Sequence, residues 1–238
     1  MKNLSIYIAV FAFLLLTTRT LSAQDGGVLI SGGMASSRMD DMKYLQEYIL
    51  SSYPVEGKIT SSFPPYTAIS VTVFKKLYDQ IRIGGSYSYS ITGGKSSYSD
   101  FSGNLTTEMS AVSHRLGAYT SYAVLGGDRL ELSVYGKVEA NLSTLNIQSA
   151  FTIQSISNRY SNAYRSISPS GTVGAELLYR IGYFSVGLDG GYLVDLTGDL
   201  KDKNSSDPLL DPADSHRVLS SDWTGWMVKI KGLVWLNF

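Results

Sequence analysis

The last residues of the chain read WMVKIKGLVWLNF, numbers 226–238. The even positions, from Trp226 to Phe238, are all apolar or glycine, while Lys229 and Lys231 fall on odd positions. Alternation with a period of two is typical of a β-strand that has one apolar and one polar face. The stretch predicts a terminal strand, and it leaves open whether the apolar face meets a protein core or lipid.

Seven further segments of the chain repeat this alternation. The clearest are residues 81–92 and 129–142, in which Ile, Tyr, Leu and Val alternate with Arg, Ser, Lys and Glu. The weaker segments are residues 26–37, 67–77, 113–124, 170–181 and 184–196. The composition, with 17 Tyr and 23 Gly among 238 residues, also favours an all-β chain over a helical one.

The connections between these eight segments alternate strictly between short and long. The short ones are residues 78–80, 125–128 and 182–183, and the long ones are about 38–66, 93–110, 143–168 and 198–220. An antiparallel up-and-down barrel with both chain ends on the short-turn side has this order. The spacing therefore predicts an all-β fold, an eight-stranded antiparallel up-and-down transmembrane β-barrel with four long extracellular loops.

Residues 1–23 have the pattern of an export signal. A basic start at Lys2, an apolar run over residues 6–16 and small residues at Ser22 and Ala23 predict a signal peptide that is cleaved after Ala23. A retained membrane anchor is the alternative, but the apolar run is shorter than the roughly 20 residues of a spanning helix. We therefore expect an exported barrel domain over residues 24–238, and without Cys it has no disulfide to stabilise it.

The polar faces of the predicted strands carry charges of both signs. These faces point either into the lumen of the barrel or outwards into water. A soluble barrel such as a lipocalin would direct its apolar face inwards. We favour lipid outside, because the strands reach about ten residues, Tyr and Trp lie near the strand ends, and a closed barrel leaves no edge unpaired in lipid. The polar faces then fill the lumen, and the candidate lumen charge network comprises Arg82, Arg115, Arg129, Glu131, Lys137, Glu139, Glu176, Arg180, Asp189, Asp195, Lys229 and Lys231.

The terminal VWLNF, which ends on Phe238, resembles the last strand that the outer-membrane barrel-assembly machinery recognises. The whole layout also resembles the small eight-stranded outer-membrane barrels, a group that includes the OmpA membrane domain, OmpX and OmpW, and especially the outer membrane protein beta-barrel families of Bacteroidota. The resemblance implies a location in the bacterial outer membrane, contact with its lipid and lipopolysaccharide, and biogenesis by the assembly machinery and periplasmic chaperones. It also implies that Trp235 and Phe238 form the assembly signal.

Patterns that would support catalysis are weak in this chain. A barrel similar to the lipid A deacylases would have a serine two residues after its histidine, but Leu116 occupies that place after His114. The pair Asp214 and His216, together with the acids at residues 40–41, loosely resembles the site of the omptin proteases, whose barrels have ten strands. We expect no enzyme activity.

Metal and nucleic-acid sites are also not indicated. The acidic stretch 202–214 lacks the Gly and Glu that an EF-hand calcium loop requires, where this chain has Asp207 and Ala213. The charge, with 20 basic and 20 acidic residues, gives no electrostatic footprint for nucleic acid. We expect no cofactor, no metal site and no nucleic-acid partner, while loose calcium binding at lipopolysaccharide stays open.

The first long connection predicts a short amphipathic helix of about three turns. A capping pattern runs from Ser37 to Asp40 and precedes the apolar run. The apolar residues at helical spacing are Met42, Leu45, Tyr48 and Ile49. The helix would pack against other loops, rest on the outer leaflet, or cap the barrel mouth.

Together these patterns predict an outer-membrane barrel with a filled polar lumen and a structural or surface-interaction role for its long loops. A narrow porin-like channel is the alternative, and a loop-sited hydrolase is the third hypothesis. Interlocking ion pairs in the lumen would exclude the channel, because they would block water. The sequence leaves open which partner the loops bind and what the oligomeric state is.

Overall fold

A computed structural model describes residues 26–53, 57–101, 103–127, 129–153 and 156–236. The predicted signal peptide and Phe238 lie outside these residues, so their roles stay predictions. In chain order the elements are β1 (Gly26–Ala35), α1 (Asp40–Ser51), β2 (Lys58–Ser62), β3 (Tyr66–Tyr78), β4 (Ile81–Asp100), β5 (Gly103–Gly126), β6 (Leu130–Ile153), β7 (Ile156–Ile181), β8 (Phe184–Asp195), β9 (Lys201–Asp202) and β10 (Gly225–Leu236).

Eight of these strands close into a ring by antiparallel pairing. The order around the ring is β1, β3, β4, β5, β6, β7, β8 and β10, and β10 pairs again with β1. At this seam Gly26 pairs with Leu236, so both ends of the described chain lie at the end that carries the short turns, here called the turn end. The predicted eight-stranded up-and-down barrel is confirmed, and each predicted strand belongs to the ring.

The outer surface of the ring is apolar and the inner surface is polar. Ile230, in the middle of β10, has 68% of its surface exposed, whereas its neighbours Lys229 and Lys231 face inwards and are 3% exposed. Twelve strand residues at a tilt of about 45° cover roughly 28 Å, the thickness of a bilayer core. This polarity is the reverse of a soluble barrel and identifies a membrane-spanning one. No helix in the described part of the chain is long and apolar enough to cross a membrane.

Two of the predicted long loops are not loops. Residues 93–110 and 143–168 continue the strands of the ring, so that β4 pairs with β5 as far as Gly103 and β5 pairs with β6 over the same distance. These residues are rich in Ser, Thr and Tyr, of which Thr and Tyr favour strands, and continued pairing satisfies their backbone groups. The expectation of four long loops is therefore wrong for these two stretches, which are extensions of the strands.

The other two long connections fold over the open end of the barrel, here called the mouth. The first contains the predicted helix, α1, followed by β2, and the second runs from β8 to β10 and includes β9. The capping pattern at Ser37 is wrong, because Met39 is the N-cap residue in a left-handed conformation and no side chain caps the helix. Burial of Met39 and a hydrogen bond from its backbone nitrogen to Asp222 O set the start of the helix instead.

Candidate functional site: a filled lumen beneath a capped mouth

A chain of ion pairs crosses the lumen in the half nearer the turn end. Glu176 on β7 lies at its centre and contacts both Arg82 on β4, at 3.2 Å, and Lys231 on β10. Arg82 also pairs with Glu131 on β6, and Lys231 lies 3.1 Å from Asp189 on β8. Five strands are therefore joined by alternating charges, and four of these five side chains are almost completely buried.

Two buried tyrosines extend this chain of ion pairs. Tyr119 donates a hydrogen bond to Glu176 over 3.1 Å, and Tyr135 donates one to Asp189 over 2.6 Å. The ring of Tyr135 lies beside Gly174 and Gly191, where a Cβ atom would meet it at 2.7 Å and 2.6 Å. Glycine at these two positions gives the tyrosine ring its space, so the lumen is filled by side chains that fit each other.

Trp235 closes the lumen at the turn end. Its indole packs edge-on against Phe74 with 5.7 Å between ring centroids, and its Nε1 donates to Ser185 over 3.1 Å. Arg180 lies 5.2 Å from the centre of the same ring. Arg180 and Arg129 are exposed at this rim, so they stand outside the buried charge chain in which the sequence pattern had included them.

Three cations lie deeper, near the middle of the lumen. Arg115, Lys137 and Lys229 are buried, and none of them has a carboxylate oxygen within 4.0 Å among the described residues. Arg115 donates one hydrogen bond to Ser90 over 2.8 Å, while its Nε and Nη1 atoms have no partner. Glu139 is the nearby acid, and it accepts hydrogen bonds from serine hydroxyls of β4.

Asp195 occupies the layer next to the mouth. Its carboxylate accepts hydrogen bonds from Asn141 over 3.0 Å and from Ser168 over 2.7 Å, and it has no cation within 4.0 Å in the described structure. Trp223 covers this layer and donates its Nε1 hydrogen to Ser143 over 3.0 Å. The twelve predicted charges therefore divide into the five residues of the buried ion-pair chain, three middle cations with Glu139 beside them, the isolated Asp195 and two rim arginines.

An apolar cluster fills the mouth above these charges. Met39, Met42 and Leu45 from the first connection pack there with Trp223 and with inward-facing residues of the ring such as Leu193. Burying these side chains removes apolar surface from water, at about 25 cal/mol for each Å². The helix therefore caps the barrel mouth, which was one of the three placements that its pattern allowed.

Polar contacts hold α1 on the mouth. The Asp41 carboxylate pairs with Arg217 and accepts hydrogen bonds from the backbone nitrogen of Ser220, over 2.9 Å, and from its hydroxyl. Arg217 also lies 3.1 Å from Asp211, which accepts a hydrogen bond from Tyr44. Hydrogen bonds from the backbone, first that of Ala213, hold the pKa of the Asp211 carboxyl below its usual range. We call Asp41, Tyr44, Asp211, Arg217 and Ser220 the mouth latch.

The two histidines are far from the arrangement that hydrolysis would need. His114 is on the outer face of β5, where Tyr87 lies 2.8 Å from its Nδ1. The neighbouring Ser113 points into the lumen and donates to Asn141, so the two side chains lie on opposite faces of one strand. His216 is exposed in the second mouth connection. No group of three or more His, Cys, Asp or Glu in the described residues could hold a metal ion.

Two buried residues of the mouth, Gln46 and Trp223, were not predicted from the sequence. Gln46 of α1 is buried and donates to Ser61 O over 2.8 Å and to Ser96 over 3.1 Å, beside Gly94, which leaves it room. Trp223 was not singled out either, because it lies in a connection without alternation. The sequence did contain an indication for Gln46, because a polar residue on the apolar side of an amphipathic helix is expected to have a buried polar partner.

Comparison with known proteins gives likenesses in structure only. No protein-family model and no curated protein matches the chain. Ail, the attachment invasion locus protein of Yersinia pestis, is 11% identical with a TM-score of 0.39, over 89% of this chain and 97% of that one. Neisserial surface protein A is 8% identical with a TM-score of 0.39, over 92% and 100%. A major outer membrane protein from Thermus thermophilus is 12% identical with a TM-score of 0.46, over 89% and 99%.

The class of the protein therefore follows from its own ring of strands and its sidedness. An even number of antiparallel strands, short turns at one end and an apolar outer band are the properties of a bacterial outer-membrane barrel. The chain is an outer-membrane β-barrel protein, as the alternation in its sequence predicts.

Proposed function

We propose that this barrel is closed to solutes and that it anchors a β-sheet outside the membrane for surface interaction. The observation that carries the proposal is the length of β4 to β7, which continue as a paired sheet well beyond the ring. The filled lumen supports the first half of the proposal, because the capped mouth and the chain of ion pairs obstruct the passage of solutes through the barrel.

Single-channel recording in planar bilayers tests whether the barrel is closed. We expect the refolded protein to give no stable openings, and Arg82→Ala to introduce brief ones by removing a link of the ion-pair chain. Lys95→Ala, which removes an exposed ion pair with Glu108, is the matched control and should stay silent. Stable openings of the unmodified protein would favour the porin-like alternative instead.

The extended sheet offers a surface of defined shape. Pairing between β7 and β8 stops at Ser170, while β7 continues with β6 to Ile156, so residues 156–169 extend beyond that contact. At about 3.3 Å for each residue this amounts to roughly 45 Å of strand. On the side away from β6, β9 pairs only with Tyr164 and Arg165, so that residues 157–162 form an open edge among the described residues.

An open strand edge presents backbone donors and acceptors that can pair with an extended polypeptide. Residues 142–169, which include this hairpin, carry Arg159 and Arg165 and no acidic residue. Both arginines are exposed. We therefore propose an extended, acidic polypeptide segment as the partner of this edge.

A peptide of ten alternating threonine and glutamate residues is a suitable probe. We expect it to bind the folded protein in detergent, measured by fluorescence anisotropy, and to lose binding to the double variant Arg159→Glu/Arg165→Glu. Lys95→Glu, which changes charge on another exposed strand, should leave binding unchanged. A peptide with N-methylated backbone should not bind if pairing is by strand addition. Equal binding of both peptides would contradict that mode, and no binding of either would contradict the proposed partner.

We propose no catalytic role, since the candidate side chains are engaged elsewhere or lie apart. Asp41 of the mouth latch is held by Arg217, and Asp40 pairs with Lys43 at 3.6 Å. A peptidase or esterase assay of the folded protein should give no activity that His216→Ala removes. Activity that depends on His216 would favour the hydrolase hypothesis.

We further propose that the barrel-assembly machinery and periplasmic chaperones fold this chain, that it contacts lipopolysaccharide, and that it belongs with the outer-membrane barrel families of Bacteroidota. The terminal strand supports the first part of this proposal, the assembly by that machinery, because β10 alternates throughout and closes the ring. Phe238→Ser should lower the amount of folded barrel in the membrane, measured by heat-modifiable migration on a gel. Unchanged assembly would contradict the role of Phe238.

A further inference from the structure

The middle of the lumen contains more positive charge than its own acids neutralise. Arg115, Lys137 and Lys229 come from β5, β6 and β10, and all three are buried. Glu139 is the one acid of this layer, among the described residues, that is free of an ion pair, and two serine hydroxyls already donate to it. The three cations therefore have Glu139 and a share of Asp189, which already pairs with Lys231, as their nearby acids.

The acids next to this middle layer already form ion pairs with other cations or accept hydrogen bonds from neutral donors. Asp189 is opposite Lys229 in the register of β8 and β10, yet its two oxygens contact Lys231 and the hydroxyl of Tyr135. Asp195 is held by Asn141 and Ser168. Transfer of these carboxylates to the middle cations would break contacts that are already formed.

The cations have unused hydrogen-bond donors. Arg115 is 1% exposed, and two nitrogen atoms of its guanidinium, Nε and Nη1, have no partner with good hydrogen-bond geometry. The neighbouring hydroxyl of Tyr66 interacts with the guanidinium but does not neutralise its charge. A buried, unpaired cation is costly, so such groups are normally paired or bind a counter-ion. Opposite Lys229 on β1 is Gly33, which has no side chain that could pair with the ammonium group.

We propose that the middle of the lumen binds a small inorganic anion, with chloride as the representative, between Arg115, Lys137 and Lys229. The three cations come from three strands and lie close enough to interact electrostatically with one another. Buried serine hydroxyls, such as those of Ser31 and Ser70, which are 2.6 Å apart, lie on the same inner surface. Side chains nearly fill the interior of an eight-stranded barrel, so a small ion is the class of anion that such an interior would accommodate. The anion would be a structural part of the closed lumen.

The groups that face this site include both signs of charge. From β6 come Lys137 and Glu139, from β8 comes Asp189, and from β10 come Lys229 and Lys231. Since Glu139 would repel an anion, we expect the ion to lie towards Arg115 and Lys229. Glu139→Gln should therefore strengthen binding, whereas Lys229→Met should weaken it.

The direct test uses the full barrel refolded in detergent, with chloride as the probe and gluconate as the ion too large to enter. We expect chloride to raise the unfolding midpoint in a saturable manner at constant ionic strength, and ³⁵Cl resonance to show broadening that bromide reverses. Lys229→Met should abolish both effects, while Lys95→Met, an exposed control, should retain both.

Lys137→Met provides a second variant if Lys229→Met does not fold, and the resonance experiment on the unmodified protein requires no variant. Equal midpoints in chloride and gluconate, without line broadening, would overturn the proposal and indicate a lumen that holds water alone. Chloride effects that persist in Lys229→Met and Lys137→Met would overturn it too, because they would arise from another part of the surface.

Discussion

Glu176→Gln is the substitution that most directly tests the ion-pair chain. The Glu176 side chain is completely buried and neutralises two buried cations, Arg82 at 3.2 Å and Lys231. Gln keeps the shape of the side chain and the ability to accept a hydrogen bond from Tyr119, but it removes the charge. The variant would leave two buried cations with Glu131 and Asp189 as their remaining acids.

The expected loss is large on the scale of protein stability. Removing one partner of a buried pair costs about 3–5 kcal/mol, since the remaining charge stays in a medium of low dielectric constant. A loss of about 4 kcal/mol lowers the folding equilibrium constant by about a thousandfold. Reversible urea unfolding in lipid vesicles, followed by tryptophan fluorescence, measures this difference in free energy of unfolding.

Glu108→Gln is the matched control, because it makes the same chemical change in an exposed ion pair. Glu108 pairs with Lys95 at 2.6 Å on the extended sheet, but both side chains are about half exposed. An exposed pair of this kind contributes about 0–1 kcal/mol. If Glu176→Gln costs no more than Glu108→Gln, the ion-pair chain does not stabilise the barrel and our reading of the lumen is wrong.

Two further predictions concern the outer face and the mouth latch. Ile230→Arg should cost about 2–4 kcal/mol of folding free energy in vesicles, because it places a cation at mid-membrane. Ile167→Arg, on the mouth side of the membrane-spanning part of β7, should cost about 0–1 kcal/mol. Equal costs would argue against this position of the membrane boundary. Arg217→Ala should speed hydrogen exchange of the α1 amides, because it removes the partner of Asp41 and Asp211, and unchanged exchange would argue against the latch. Because the pKa of Asp211 is lower in the folded state, its contribution to stability is present above the ordinary carboxyl range and is lost as the pH falls through the folded value. The protection factors of the α1 amides in the unmodified protein, which are corrected for the pH dependence of intrinsic exchange, should therefore fall in acid. Protection factors that do not change with pH would contradict this.

Local alternation was sufficient to predict the barrel. Residues on one face of a strand share their surroundings, so an apolar row that includes Ile230 and a polar row that includes Lys231 can be read directly from the sequence. The strict order of short and long connections then fixed the topology. The helix could be predicted for the same reason, since Met42 and Leu45 recur with the period of a helix.

The ends of the strands and the pairing of the charges were decided by tertiary structure. Residues 93–110 and 143–168 have no strong alternation, and they form strands because β4 to β7 offer them partners across the sheet. The sequence places Lys229 and Lys231 two residues apart on the same face. Only the packing inside the closed ring gives Lys231 contacts with Glu176 and Asp189. Lys229 is opposite Asp189 in the register, yet it has no carboxylate oxygen within 4.0 Å among the described residues. Alternation determines which side a residue faces, whereas the closure of the ring determines what it meets there.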